Sequence, residues 1–299
     1  MAVRLGVAPI AWSNSDLPEL GGDTPLEVCL RESREAGYTG TETGVKFPLD
    51  PDELGPILDA HDLRLVSGWF SGCLLDVSVD EEKRRLETQL ACFAALGAPV
   101  MVYAETSGSV QADRSTPVSR RPTLAREDFP EYGRKLTEIA EHMKHRGVPM
   151  AYHPHMGTIV EQDEEIELLM DSTGPAVGLL VDTGHVTYAG GDPLAVVRRH
   201  GARLNHVHCK DVRADVLERA KAGNLSFLDA VVEGVFTVPG DGCVDFAAFA
   251  RGLAEVDYEG WIVVEAEQDP AKAPPLAYAK MGHANLSKAL ADAGFEIVR

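Results

Sequence analysis

Short apolar runs recur along the chain, several of them rich in β-branched residues, and longer amphipathic stretches separate them. Eight runs have the length and composition of buried strands: residues 4–10, 40–42, 64–68, 100–103, 149–153, 178–182, 204–208 and 261–265. The stretches between them carry helix signals. Thr24-Pro25-Leu26-Glu27 sets a cap residue before proline at the first helical position, with a carboxylate in the opening turn. Leu26, Leu30 and Ser33 follow at helical spacing, and Gly37 closes that helix. Further helices are predicted over 79–96, 129–146 and 193–200, each followed by a glycine.

Strand, helix, glycine, strand, repeated about eight times, implies a parallel sheet with crossover helices. No G-x-G-x-x-G fingerprint or Walker loop interrupts the series. The prediction is therefore α/β, a closed (β/α)8 TIM barrel in one domain over residues 1–299, rather than an open doubly wound sheet. Segments 106–127 and 212–239 are predicted as longer loops on the active-site face, the second with inserted helices.

Composition narrows the ligand. The chain has 47 acidic and 28 basic residues, a net charge of −19. That field repels phosphate backbones and anionic lipid, so nucleic acid and membrane are not expected partners. It favours a neutral polyol over a sugar phosphate. The five cysteines are scattered without a C-x-x-C pair, which argues against a disulfide framework or zinc ribbon. No run approaches the roughly 18 apolar residues of a membrane span, and a cytoplasmic location is expected.

In a barrel, polar groups at the C-terminal strand ends face the active-site mouth. Here those ends hold Glu42, with Lys46 nearby; His153-Pro154-His155; Asp182-Thr183-Gly184-His185; His206-Val207-His208-Cys209-Lys210-Asp211; and Glu265-Ala266-Glu267. Residues two apart on a strand share a face, so His153/His155, His206/His208 and Glu265/Glu267 are same-face pairs. Imidazoles and carboxylates together suit a divalent ion.

Each residue also has a plainer reading. A single strand-end histidine is usually a hydrogen-bonded structural residue, but five on three neighbouring strand ends reverse that expectation. Asp182-Thr183-Gly184 reads as a ligand or as a simple turn. Glu265 ends the apolar run 262–264, where an unpaired carboxylate is costly, so a cation beside it is expected. Glu267 reads equally as a solvated rim charge, Glu42 equally as a surface residue, and Lys46 as solvated unless it reaches a ligand. Trp12, Trp69 and Tyr103 follow strands one, three and four, and serve either the core or a sugar-ring face.

Asp182-Thr183-Gly184-His185, His206-Val207-His208-Cys209-Lys210-Asp211 and Val263-Val264-Glu265 resemble motifs of the xylose-isomerase-like barrel superfamily. Longer blocks, among them Trp12-Ser13-Asn14, Tyr152 to Thr158, Leu225 to Ala230, Phe236 to Gly242 and Glu265 to Lys272, resemble the inosose dehydratase family. The resemblance runs from the first strand nearly to the C-terminus.

It implies a metal at Asp182, His208 and Glu265. The superfamily's fourth ligand is usually a glutamate ending strand five; here that position is His153, which takes its place or leaves an open coordination position. Mn²⁺ or Co²⁺ is favoured, with Zn²⁺ and Mg²⁺ compatible. The implied reaction is dehydration of 2-keto-myo-inositol (scyllo-inosose) to a trihydroxycyclohexane-1,2-dione in inositol catabolism, through an enediolate and loss of the β-hydroxyl. Base and acid are expected among His155, His185 and Glu267, with Glu265 as a further base. Substrate contacts are expected from Trp12, Asn14, Glu42, Lys46, Trp69, Tyr103, Lys210 and Asp211. The alternatives are a ketose or inosose isomerase or 3-epimerase on the same barrel, metal-assisted phosphodiester hydrolysis, and a non-catalytic polyol-binding protein. Association into a homo-oligomer is compatible with this group.

Overall fold

A computed structural model describes residues 1–298. The strands are β1 (Ala2–Val7), β2 (Gly40–Thr43), β3 (Arg64–Gly72), β4 (Met101–Glu105), β5 (Met150–Tyr152), β6 (Val177–Asp182), β7 (Leu204–Cys209), β8 (Asp211–Val212), β9 (Phe236–Thr237), β10 (Gly260–Val264) and β11 (Glu296–Ile297). The helices are α1 (Leu26–Glu35), α2 (Pro51–Ala60), α3 (Val79–Leu96), α4 (Phe129–His145), α5 (Asp163–Ser172), α6 (Thr183–Ala189), α7 (Pro193–His200), α8 (Ala214–Ala222), α9 (Phe227–Val232), α10 (Phe246–Glu255) and α11 (Pro275–Asp292).

Strands β1 to β7 pair in parallel in chain order, β10 follows β7, and β10 pairs back with β1 through Leu5–Ile262 and Val7–Val264. That last pairing closes an eight-stranded barrel, as the strand–helix alternation predicts. Strand β11 pairs with Ala2 and Val3, ahead of Gly6 and Val7, which pair with β2. Inside the barrel Ala8, Val66, Trp261 and Val263 pack in one cluster and Val100, Val102, Ala151 and Leu180 in another. Gly40 makes room for this filling, since a Cβ there would lie 2.5 Å from the Trp261 ring.

Proline chemistry sets two boundaries that differ from the sequence reading. The first strand stops at Val7 rather than residue 10, because Pro9 opens a 3₁₀ turn over Pro9–Ala11. Strand β5 stops at Tyr152: the His153 N–H still donates to Tyr103 O (2.8 Å), but Pro154 has no N–H to continue the ladder. At α1, Pro25 takes the cap position and Thr24 makes no side-chain cap bond, its carbonyl receiving the Lys46 ammonium instead.

The 212–239 segment forms α8 and α9 between the antiparallel strands β8 and β9. It packs with the loop after β1 in a second apolar cluster that includes Leu17, Leu20, Met156, Tyr188, Phe227 and Phe236. The insertion thereby roofs the ends of β5 to β7. Among the described residues no helix is long and apolar enough to cross a membrane.

Candidate metal centre and cavity

Asp182 ends β6 and caps α6. Its Oδ1 accepts from the N–H groups of Gly184 (2.7 Å) and His185 (2.9 Å), so the turn reading of this motif is correct for one oxygen. The other oxygen, Oδ2, is buried without a hydrogen-bond partner. It faces His208 Nδ1 at 3.6 Å, Lys210 Nζ at 3.7 Å and His153 Nε2 at 3.8 Å. Glu265 Oε2 lies 3.1 Å from the same His208 nitrogen. One ligand atom from each of His153, Asp182, His208 and Glu265 falls within 4.8 Å of the others.

The outer hydrogen bonds aim these ligands. His153 Nδ1 lies 2.7 Å from Pro154 O, which leaves Nε2 as the lone pair turned toward Asp182. His208 Nε2 lies 2.9 Å from Glu42 Oε1, and that oxygen also accepts from Ser67 Oγ and meets His206 Nε2 at 3.0 Å. A carboxylate behind an imidazole is the usual support for a metal-bound histidine. Burial works against a charged His208, yet Glu42 and Glu265 outweigh it and raise its pKa well above the ordinary value. A divalent ion would take the place of the Nδ1 proton between His208, Glu265 and the orphaned Asp182 oxygen. The donor set fits such an ion.

Beside this tetrad lies a second group. Lys210 is wholly buried, and its ammonium donates to Glu267 Oε1 (2.6 Å) and Glu265 Oε2 (2.9 Å) and meets His185 Nε2 at 2.9 Å. The His155 and His185 rings lie 3.9 Å apart, and Phe227 stacks on His185. Burial, reinforced by the Lys210 charge, lowers His155 to about 3. Burial and the neighbouring His155 likewise hold His185 well below the ordinary value. Burial pushes the Glu267 carboxyl up, against the pull of Lys210. Two neutral imidazoles and a carboxyl–ammonium pair thus adjoin the tetrad, a set able to accept and to deliver protons.

These groups open into a cavity of about 470 Å³. His153, His155, His208, Glu265 and Glu267 line it together with Ile10, Val45, Phe47, Leu49 and Trp69. Trp69 meets the edges of His153 and His155, with ring centroids 5.8 and 5.1 Å away.

Several expected substrate contacts lie elsewhere. Lys46 is held by the carbonyls of Gly22 (2.6 Å) and Thr24 and does not line the cavity. Trp12 is a core residue whose Nε1 donates to Glu32 (2.7 Å). Asn14 folds its own loop, Oδ1 accepting from the N–H groups of Asp16 and Leu17. Tyr103 points between barrel and helices, its hydroxyl donating to Glu82 (2.8 Å). Asp211 accepts from four backbone N–H groups, of Val212, Gly240, Gly242 and Val244, and shapes the turn after β9. Lys210 reaches the centre from behind rather than lining the cavity. His185, read as a strand-end residue, sits in the first turn of α6 because Asp182 caps that helix.

Other residues join the site without having been assigned a role. Asp16 and Gln111 line the cavity, and the Gln111 Oε1 is buried without a partner. Gln111 lies in the polar loop 106–127, where position along the chain was the only signal, whereas Asp16 opens the stretch Asp16 to Gly22 that shares the family resemblance of the Trp12 block. His206 and Ser67 act from the layer beneath, on Glu42. The strand alternation had placed His206 on the His208 face.

The sequence and fold have recognisable relatives. A family model described as the xylose isomerase-like TIM barrel matches residues 30–295. The chain is 53% identical over 297 residues, 99% of its length and 91% of the relative's, to the Rhizopine catabolism protein MocC of Rhizobium meliloti. It is 41% identical over 279 residues, 93% of its length and 94% of the relative's, to the inosose dehydratase of Clostridium tetani. Among solved structures, the IolI protein with a bound zinc atom superposes with a TM-score of 0.67 at 17% identity, over 97% of each chain. A probable 3-DHS dehydratase, AsbF of Bacillus anthracis, gives 0.69 at 14% identity, over 93% of this chain and 98% of that one. With a closed parallel barrel and a family match over most of its length, the chain belongs to the xylose isomerase-like TIM barrel family.

Proposed function

We propose that the protein is a metal-dependent hydro-lyase that dehydrates inosose, 2-keto-myo-inositol, to a trihydroxycyclohexane-1,2-dione. The observation that carries this reading is the buried Asp182 Oδ2, without a hydrogen-bond partner and surrounded by His153, His208 and Glu265, in a chain 41% identical to proteins named inosose dehydratase. Those four residues would hold the ion. When bound, a divalent cation supplies Lewis acidity toward a substrate oxygen.

Dehydration needs a C–H bond broken beside the ketone and a C–O bond broken one carbon further on. A C=C bond forms between them, and the resulting enol tautomerises to the dione. His155 is the group we assign to the C–H proton. Its Nδ1 lies 2.8 Å from Met156 O, leaving Nε2 as the lone pair of a residue that lines the cavity. Glu267, backed by the Lys210 ammonium, is assigned to the proton that leaves with the hydroxyl as water. His185 steadies that pair. Trp69 and the apolar side of the cavity receive the ring carbons, and Glu42, with its Oε1 committed to three partners, orients His208.

The test is incubation of metal-stripped protein with 2-keto-myo-inositol, with and without Mn²⁺, Co²⁺ or Zn²⁺, following product mass. Metal-dependent loss of one water is the expected result. Unchanged mass with altered stereochemistry assigns an epimerase instead. A second reading, service in rhizopine catabolism, is favoured by the 53% relative. Turnover of a rhizopine without turnover of inosose selects it.

A further inference from the structure

The tetrad has a neighbour with the same kind of donors. One ligand atom from each of His155, His185 and Glu267 lies within 4.8 Å of the others, and all three residues are buried. Both imidazoles turn Nδ1 toward the Met156 backbone: His155 Nδ1 lies 2.8 Å from Met156 O, and the Met156 N–H lies 3.3 Å from His185 Nδ1. Two imidazole nitrogens and a carboxylate converging out of water make a borderline-metal site. Here, however, a cation is already covalently present. The Lys210 Nζ stands 2.9 Å from His185 Nε2 and 2.6 Å from Glu267 Oε1, and reaches Glu265 Oε2 at 2.9 Å.

We propose that the Lys210 ammonium is the second cation of the site, filling the position that His155, His185 and Glu267 would otherwise offer to a second divalent ion. The proposal rests on the reading of the tetrad as a metal centre, and deepens it: one exchangeable ion at the cavity wall is backed by one fixed ammonium behind Glu265 and Glu267.

The chain builds a seat for this lysine. Thr183 Oγ1 donates to Lys210 O (2.7 Å) and accepts from Lys210 N (3.0 Å), clasping its backbone. Gly184 lies against the aliphatic stem, where a Cβ would come 2.6 Å from Lys210 Cγ. The Phe236 ring lies 4.7 Å from the ammonium, within cation–π range. A long basic side chain ordinarily carries its charge out to water; this one is wholly buried and spends its donors on the second group and on Glu265. An ammonium has three N–H donors and no open coordination position. It can hold Glu267 in place and stabilise developing negative charge, but it cannot be chelated away or exchanged.

The test counts metal per chain. Co²⁺ is titrated into the stripped protein, followed by visible absorption and by elemental analysis after dialysis, for the wild type and the variants K210A, K210A/E267Q, H155A and D182N. K210A is expected to take one ion more than the wild type, and K210A/E267Q to lose that extra ion. In the wild-type background H155A is expected to leave the count unchanged, a measurement that stands even where K210A fails to fold. The same count in K210A as in the wild type, or an ion lost from H155A, overturns the proposal. Failure of the tetrad reading looks different: the wild type then binds no ion or D182N binds as many, whatever the increment in K210A.

Discussion

The cavity has two unlike walls. The ends of β5, β6, β7 and β10 supply His153, His155, His208, Glu265 and Glu267, with Asp182, His185 and Lys210 packed behind them. The rest of the lining, from β1 to β3 and their loops, includes Ile10, Val45, Phe47, Leu49 and Trp69. The first wall is a dense set of buried ionisable groups, each needing a neighbour to offset the cost of leaving water. The second mixes these apolar side chains with Ser13, Thr43 and Ser71, and its ionisable groups are Asp16 and Glu42, the latter tied back to His206 and His208. The difference separates chemistry from binding: changes in the first wall should act on turnover and metal retention, and changes in the second on substrate affinity.

The largest effect is expected from Asp182→Asn, which keeps the cap on α6 but removes the charge. It should lose bound metal and at least the roughly 10²- to 10³-fold in kcat that loss of one electrostatic stabiliser costs. Elemental analysis with steady-state kinetics checks this, and a metal-free variant of full activity would break the comparison. Glu42→Gln leaves the tetrad intact but alters the support behind His208. A fall of about 10- to 100-fold in metal affinity is expected, measured by competition with a chelator.

Effects on the second wall should be smaller and of another kind. Trp69→Ala should raise KM by about two- to twelvefold, equivalent to about 0.5–1.5 kcal/mol of aromatic contact, with kcat little changed. A fall in kcat at constant KM would move Trp69 to the chemical wall. The smallest effect serves as a control. Arg198→Ala removes an exposed pair with Glu255 on the outer helices, and the thermal unfolding midpoint and the activity should both stay as in the wild type.

The Asp182 motif shows how far residue pattern alone could go. Two readings of Asp182-Thr183-Gly184, turn or ligand, competed in the sequence, and the folded chain uses one carboxylate oxygen for the turn and leaves the other facing the tetrad. Local chemistry named the residue, but the direction of each oxygen depended on α6 and β7. Glu42 behaves similarly. Nothing near it in the chain signals a role, because its partners Ser67, His206 and His208 come from β3 and β7. Lys46, Trp12, Asn14, Tyr103 and Asp211 misled for the opposite reason: each is a plausible site residue by type, and each found a nearer partner in its own loop or in the helix layer.

The strand–helix alternation was legible residue by residue because side-chain periodicity is local, with period two in a strand and 3.6 in a helix. Strand ends carrying His153, Asp182, His208 and Glu265 followed from the same pattern, since a barrel assembles all its C-terminal strand ends at one mouth. The burial of Lys210 and the arrival of Gln111 and Asp16 at the cavity were settled only by tertiary structure. Those features join residues far apart in the chain, and which distant partner satisfies a buried charge or an amide is decided by packing across loops, on which periodicity is silent.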